Sequence, residues 1–272
     1  MRRRIDNRIR QAGIPRAGVC AFGDLMPLLP CRAQARIPDG ARSVIVCLFP
    51  YRAGEFPRRN VARYAVGDDY HRIAGELLEA AAEKLREDFP GEAFAPFVDN
   101  SPLREVEAGR LAGLGAVGRH GQLIHPLYGS YAFIGAIVTT LALEPDAPAE
   151  EACLACGRCV AACPTGALRG DGFDKARCRS HITQKKGALT GWERQQIREG
   201  GLLWGCDLCT DACPLNRRAA EQALAAFRVH EAPWLEPAEL APLQGRKAWG
   251  WRGARLLERN WRLLYGDNTG EE

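Results

Sequence analysis

The feature that most constrains this chain is a run of four closely spaced cysteines followed by a proline. The run reads Cys153-x2-Cys156-x2-Cys159-x3-Cys163-Pro164. Thiolates at this spacing bind [4Fe-4S] clusters, three of them on one cluster and the fourth on a second. A structural zinc site usually has two separated cysteine pairs and does not require this run. The sequence therefore predicts iron–sulfur chemistry and a fold built around it.

A second, shorter run further along the chain completes the set of ligands. It reads Cys206-x2-Cys209-x3-Cys213-Pro214, and Cys178 lies between the two runs. Eight thiolates are enough for two cubane clusters, and in two-cluster ferredoxins the last cysteine of a run binds the other cluster. This crossing predicts one cluster on Cys153, Cys156, Cys159 and Cys213. It predicts the other cluster on Cys163, Cys178, Cys206 and Cys209. The remaining cysteines, Cys20, Cys31 and Cys47, are expected to be structural.

The first half of the chain has the pattern of a mixed helix and strand domain. Residues 43–49 are apolar after Ser43 and include three β-branched residues, as expected of a strand buried on both faces. Residues 70–89 carry apolar side chains at four-residue spacing among charged ones, which predicts an amphipathic helix. Residues 94–98 and 131–140 are strand-like. We therefore expect an α/β or α+β fold over residues 1–150.

Three segments are predicted along the chain. Residues 144–148 contain two prolines and no regular pattern, which places the main boundary near residue 150. Residues 151–218 are then a ferredoxin-like domain with two clusters. Residues 219–272 form a short helical tail, with an amphipathic helix over 253–264.

An acidic residue follows the strand at 94–98. Asp99 precedes Ser101, which is suited to cap a helix, and Pro102, which is suited to its first position. The predicted helix runs to about Gly113. A helix N-terminus next to Asp99 would favour its carboxylate form, so that action as an acid near neutral pH would require burial.

The charge and hydropathy of the chain indicate which partners and which cellular location to expect. No stretch approaches 18 uninterrupted apolar residues, so no membrane span is expected. The many thiols suit a reducing compartment, and we expect a cytoplasmic protein. The chain has 37 Lys and Arg against 33 Asp and Glu, a net charge of +4, which permits an anionic partner without requiring one.

Motifs around the cysteines and upstream of them resemble the epoxyqueuosine reductase family over residues 15–218. Those of the cluster region are RCRSHIT at 177–183, GCDLC at 205–209 and ACPLN at 212–216. Those upstream, in the family's order, are RYAxxDDYH at 63–71, VDxxP at 98–102, AGLGxxG at 112–118 and GSYxFxG at 129–135.

The resemblance implies an activity, a second cofactor and a set of site residues. Members of the family reduce epoxyqueuosine to queuosine in tRNA with cobalamin and two [4Fe-4S] clusters. Residues 1–150 would then be the cobalamin-binding catalytic domain, and Asp99 matches the family's proton donor. His71, Ser180 and Asp207 match positions expected to contact the corrinoid. The cobalamin would be held base-off without a histidine ligand, in the manner of the family.

The end of the printed sequence differs from that of the full-length family members. The resemblance is to a short form, because the chain stops at Glu272 before the family's helical-repeat domain. The helix over 253–264 resembles the first of those repeats, and its apolar face should pack on the cluster domain, meet a second subunit or stay exposed.

Basic residues support a nucleic-acid partner. Residues 246–262 contain six Lys and Arg against one Glu, and residues 174–186 contain five against one Asp. Such patches can bind phosphates, and the resemblance implies tRNA as the partner. An external one-electron donor such as ferredoxin or flavodoxin is also implied.

Two other functions are compatible with the same cysteines. The first is a reductase that uses cobalamin and clusters on a small molecule, as reductive dehalogenases do. The second is an iron–sulfur electron carrier that binds no corrinoid.

Overall fold

The computed structural model describes residues 1–150, 153–170 and 172–266. It divides into two compact units, each built from separate stretches of the chain. The sheet unit comprises Met1–Tyr51, Tyr70–Cys156 and Leu215–Leu224. The cluster unit comprises Arg52–Asp69, Gly157–Pro214 and the residues from Ala225 onward. The expected start of the cluster domain at residue 151, and residues 267–272 of the expected tail, lie outside the described residues.

The sheet unit is built on a four-stranded sheet. The strands of the whole unit, which include a separate pair, are in chain order β1 (Arg16–Ala21), β2 (Ser43–Pro50), β3 (Phe94–Val98), β4 (Ala116–Val117), β5 (Leu123–Ile124) and β6 (Ala132–Thr139). Its main helices are α1 (Arg2–Gln11), α2 (Tyr70–Asp88) and α3 (Glu105–Leu111). The large sheet has the order β1-β2-β6-β3 with every pair antiparallel, and β4 pairs with β5 separately. The expected mixture of helix and strand is confirmed, in its α+β form.

The burial of β2 follows from its central place in the sheet. Every residue of β2 is buried, because β1 and β6 flank it and helices cover both faces. On one face a Cβ added to Gly18 would lie 2.1 Å from the carbonyl oxygen of Ala112, at the end of α3. On the other face a Cβ on Gly135 would lie 2.7 Å from Leu78 Cδ1 in α2. A side chain at Gly18 would therefore require the end of α3 to move, whereas one at Gly135 would first displace the Leu78 side chain.

The helix expected to start at Pro102 begins three residues later. Ser101 Oγ accepts a hydrogen bond from the backbone N–H of Leu103 at 3.1 Å, so it closes a turn instead of capping a helix. The residue that precedes α3 is Arg104, which has no side-chain capping bond. Asp99 has a left-handed backbone, with φ of 48°, that turns the chain directly after β3. The N-terminus of α3 is therefore six residues away from Asp99 in the sequence. The carboxylate form of Asp99 must then be favoured by something other than this helix N-terminus.

The cluster unit consists of short helices and turns. Its helices are α4 (Arg158–Ala161), α5 (Arg179–Thr183), α6 (Gly191–Gly200), α7 (Leu208–Asp211), α8 (Pro237–Leu243) and α9 (Ala254–Tyr265). Asn260 on α9 is fully buried and donates from Nδ2 to the carbonyl oxygens of Thr183 and Leu203, both at 2.8 Å. Trp261 and Leu264 are partly buried against the same core. The apolar face of this helix thus packs within the cluster unit, and Trp261 and Leu264 also stay partly exposed, so two of the three expected outcomes are observed.

Replacing Gly18 by alanine tests the close approach of α3 to the sheet. The added methyl group overlaps a backbone oxygen, which cannot move without shifting the helix end. We expect Gly18→Ala to lower the stability by about 1–3 kcal/mol, as overpacking does. Thermal unfolding measures the loss. Gly23→Ala is the control, because its methyl group would meet no atom within 4 Å. Equal melting temperatures for the two variants would contradict this packing.

Candidate functional site

The eight predicted cluster ligands are distributed over both units. None of the eleven cysteines, all of which are described, forms a disulfide. The division between the units falls after Cys156, so that Cys153 and Cys156 belong to the sheet unit and the other six to the cluster unit. Among those six, Cys159 and Cys213 are buried.

Four thiols of the cluster unit lie close enough to influence one another's charge. The pKa of Cys209 is raised to about 12 by burial, and the negative charges of Cys206, Cys178 and Cys163 add to the rise. These four cysteines are the set expected for one cluster. Such a thiol stays neutral at physiological pH unless a metal takes the place of its proton, which is what iron does in a cluster. The donor set thus fits a [4Fe-4S] cluster.

A site for a single metal ion requires a different arrangement of ligands from a cubane cluster. Within the described residues, no three histidine, cysteine or carboxylate side chains converge on one point as ligands of a single ion. The thiolates of a cubane each bind a different iron and need not converge in that way. The fit to a cluster therefore rests on the type and number of the donors.

Cys163 has an environment that stabilises its thiolate. Burial raises its pKa, but hydrogen bonds from the backbone N–H groups of Leu168, Ala167 and Thr165 and from the Thr165 hydroxyl outweigh burial and lower it. The Thr165 hydroxyl lies 3.6 Å from the sulfur. Hydrogen bonds to cluster sulfurs are one of the means by which a protein sets the reduction potential.

The two candidate corrinoid contacts in the cluster unit are already hydrogen-bonded. Ser180 Oγ accepts a hydrogen bond from Gln184 Nε2 at 3.3 Å. Asp207 is buried, and its Oδ2 accepts from Arg59 Nη1 at 2.5 Å and from the backbone N–H of Arg63 at 3.0 Å. Burial raises the pKa of Asp207, while the charge of Arg59 opposes the rise. Asp207 therefore fixes residues 59–63 to the start of α7, whatever else it binds.

The structure brings together the two candidate residues of the sheet unit. His71 lies in the first turn of α2, Asp99 follows β3, and His71 Nε2 lies 3.0 Å from Asp99 Oδ2. Because a carboxylate can only accept, the ring nitrogen donates. This bond lowers the pKa of Asp99 in spite of partial burial. The carboxylate form is thus favoured by a histidine, and the Asp99 side chain remains 54% exposed and available to a substrate.

A third titratable group, Glu105, belongs to the same neighbourhood and was missed by the sequence analysis. Burial and the charge of Asp99 raise its pKa to about 8, with His71 opposing. Glu105 Oε1 is buried and has no hydrogen-bond partner within the described part of the chain. A glutamate in the first turn of a helix is so common that its type and position carry no signal. Only the burial of its carboxyl group distinguishes Glu105 from other glutamates in that position.

Asp99 and Glu105 line one open cavity of about 540 Å³. Arg104, Glu107 and Val117 also line it. Glu107 differs from Glu105 because it is paired with Arg110, whose Nη2 lies 2.7 Å from Oε1, and this bond lowers the pKa of Glu107. The cavity therefore holds one carboxyl group that keeps its proton near pH 7 beside two that do not.

Half-exposed aromatic rings form a row that ends at His71. The ring of Tyr51 lies 4.5 Å from that of Phe133, which stacks on Tyr70 at 3.9 Å, and Tyr70 in turn stacks on His71 at 4.0 Å, all between ring centroids. Because stacked rings cover one another's faces, the row presents ring edges as an apolar surface beside the Asp99 carboxylate. The apolar parts of a macrocycle can pack against such a surface.

Two of the cations counted in the basic patches are buried. Lys247 Nζ donates to the carbonyl oxygens of Val66 at 2.8 Å and Gly67 at 3.1 Å. Arg179 donates to Gln196 Oε1 at 3.0 Å. Because both side chains serve as internal tethers, they do not contribute to a phosphate-binding surface.

Comparison with known families identifies the class of protein. Residues 152–216 match the family described as "4Fe-4S double cluster binding domain". Residues 32–100 match "Epoxyqueuosine reductase QueG, DUF1730". The first match defines the chain as a double-cluster iron–sulfur protein, and the two expected clusters are supported by it. With the second match and the relatives below, the chain belongs to the epoxyqueuosine reductase family.

Curated and solved relatives agree with this assignment. The epoxyqueuosine reductase of Listeria monocytogenes is 35% identical over 251 residues, which are 83% of this chain and 64% of the relative. The structure of epoxyqueuosine reductase from Streptococcus thermophilus has a TM-score of 0.82 at 25% identity and covers 97% of this chain and 80% of its own. An epoxyqueuosine reductase solved with an epoxyqueuosine-modified tRNA-Tyr stem loop also has a TM-score of 0.82 at 25% identity, with 96% and 80% covered.

Two further comparisons set the limits of the likeness. The chain spans about six tenths of the length of the curated relatives, 61% and 64% in two cases. The catabolic reductive dehalogenase NpRdhA is 20% identical with a TM-score of 0.54, covering 97% of this chain and 36% of its own, a likeness of fold alone. No helix within residues 1–150, 153–170 and 172–266 is both long and apolar enough to cross a bilayer.

Replacing Cys178 by serine tests the proposed role of this isolated cysteine as a ligand. The loss of one thiolate should release one cluster, so that anaerobically reconstituted protein falls from about eight irons to about four per chain. Chemical iron analysis and electron paramagnetic resonance of the reduced protein measure the change. Cys31→Ser is the control, since Cys31 lies far from both cysteine runs in the sequence and should leave the iron content unchanged. Retention of all the iron by the Cys178 variant would exclude Cys178 as a ligand.

Proposed function

We propose that this chain is an epoxyqueuosine reductase, which converts epoxyqueuosine in tRNA to queuosine with two [4Fe-4S] clusters and cobalamin. The observation that carries the proposal is the Asp99–His71 pair, an exposed, hydrogen-bonded acid–base pair in a chain with eight cluster-type cysteines. The solved relative with a modified tRNA stem loop supports the choice of substrate.

The reaction removes the epoxide oxygen as water and requires two electrons and two protons. When bound, the clusters and cobalamin would supply the electrons and a metal centre that delivers them to the substrate. The chain's own residues supply the protons. A carboxylate hydrogen-bonded to an imidazole can receive a proton and pass it on, so Asp99 protonates the departing oxygen while His71 holds the carboxylate in place.

Cobalamin fits the residues of the sheet unit. The aromatic row of Tyr51, Phe133, Tyr70 and His71 would support the flat ring, next to Asp99. His71 Nε2 is engaged by Asp99, which agrees with binding that uses no histidine ligand. By resemblance to the family, we also propose Ser180 and Asp207 as corrinoid contacts.

We assign the cluster ligands by the crossed pattern. One cluster binds Cys153, Cys156, Cys159 and Cys213. The other binds Cys163, Cys178, Cys206 and Cys209, and the mutual influence of these four thiols supports the second assignment. The remaining proposals are a cytoplasmic location and an external one-electron donor of the ferredoxin or flavodoxin type.

Replacing Asp99 by asparagine tests the acid. Loss of a positioned general acid typically lowers the rate by about 10²–10⁴. We expect Asp99→Asn to convert epoxyqueuosine that much more slowly than the wild type, with the iron content unchanged, as measured by mass spectrometry of tRNA nucleosides. Asp39→Asn, at an exposed aspartate, is the control and should keep the wild-type rate. A wild-type protein with full clusters and cobalamin that converts no epoxyqueuosine would refute the proposed function.

A further inference from the structure

We propose that Glu105 is a second proton carrier of this site, a neutral carboxyl group that reloads Asp99 with a proton in each turnover. The proposal rests on the proposed function, because it concerns the protons that epoxide reduction consumes. Glu105 acts through Asp99 and is in that sense a positioning and relay residue.

The need for a second carrier follows from the stoichiometry. The oxygen leaves as water and takes up two protons, whereas the Asp99–His71 pair holds one at a time while Asp99 is kept ionised by His71. Asp99 must therefore be reloaded within the turnover. The rate of this reprotonation depends on the nearest group that carries a proton at neutral pH.

The geometry places such a store beside Asp99. Glu105 is the first residue of α3, and it lines the same cavity of about 540 Å³ as Asp99. Its Oε1 is buried without a hydrogen-bond partner in the described part of the chain. An unpaired charge at a buried atom is far more unfavourable than a neutral carboxyl group. The site therefore favours Glu105 in its protonated form.

The electrostatics separate the carboxyl groups of the cavity. Burial and the charge of Asp99 raise the pKa of Glu105 to about 8, while His71 lowers that of Asp99. Glu107 is kept ionised by Arg110. When neighbouring carboxyl groups are pushed in opposite directions, the one with the raised pKa is the proton donor and the other the acceptor.

The proton transfers balance as follows. Asp99 begins as a carboxylate, so the Glu105 O–H bond breaks first, its proton moves to Asp99, and Glu105 becomes a carboxylate. Asp99 passes this proton to the departing oxygen and is a carboxylate again. Solvent that enters the open cavity reprotonates Glu105, and a second proton follows the same route to complete the water molecule. Two protons from solvent thus leave in one molecule of water.

Glu105→Gln tests the relay in the cobalamin- and cluster-loaded protein, with Glu107→Gln as the matched control on the same cavity. We expect wild-type conversion of epoxyqueuosine-containing tRNA to fall above about pH 8, as Glu105 loses its proton. Glu105→Gln should be at least about tenfold slower at pH 7 and should lose this step. Glu107→Gln should keep the rate and the step. Glu105→Asp, which restores a carboxyl group, should recover part of the rate.

An infrared titration gives a readout that is independent of activity. The carbonyl band of a protonated carboxyl group should disappear near pH 8 in the wild type and in Glu107→Gln. It should be missing from Glu105→Gln above about pH 6, where ordinary carboxyl groups are ionised. Absence of that band from the wild type at pH 7 would overturn the proposal, even if the enzyme is active. An active wild type with an equally active Glu105→Gln, of unchanged pH profile, would overturn it too. A wild type that shows the band but reduces no epoxyqueuosine would refute the proposed function instead.

Discussion

The repulsion between clustered thiolates is the constraint around which the cluster unit is organised. Cys163, Cys178 and the pair Cys206 and Cys209 come from three stretches of the chain, and the charges of the other three add to the effect of burial in raising the pKa of Cys209. Buried thiolates at such close range are unfavourable unless a metal compensates their charge, so the binding of iron and the folding of these stretches are coupled. The four-residue helices α4 and α7 each contain one of the proposed ligands, Cys159 and Cys209.

In the sheet unit, different surroundings give chemically similar carboxyl groups different charges. Asp99, Glu105 and Glu107 lie within nine positions of one another and line one cavity. A histidine holds the first as a carboxylate, burial keeps the second neutral, and an arginine holds the third as a carboxylate. The left-handed turn at Asp99, a conformation that aspartate tolerates better than most residues, leads the chain from β3 into the residues that line this cavity.

The tail helix is an integral part of the cluster unit. Asn260 satisfies the carbonyl oxygens of Thr183 and Leu203, and Lys247 satisfies those of Val66 and Gly67. These buried polar side chains satisfy carbonyl oxygens at a helix end and in turns, which a purely apolar helix could not do. In the proposed complex with tRNA, contacts with the RNA backbone fall to the exposed cations of the same region, among them Arg246, Arg255 and Arg262.

Local patterns in the sequence determined the elements and the type of chemistry. The apolar run of β2 and the spacing of α2 depend on neighbours in the chain, so both elements could be predicted within a residue or two. The cysteine runs are local in the same way and predict iron–sulfur chemistry. The start of α3 was predicted wrongly, because Ser101 can cap a turn as well as a helix. What only the tertiary structure decided were the meetings of distant residues, such as His71 with Asp99, and the burial of Lys247, Arg179 and Glu105. The sequence gives an acidic or basic residue the same identity whether its side chain lies in water or in a core. The difference in its charge and role comes from packing, which no local pattern in the sequence records.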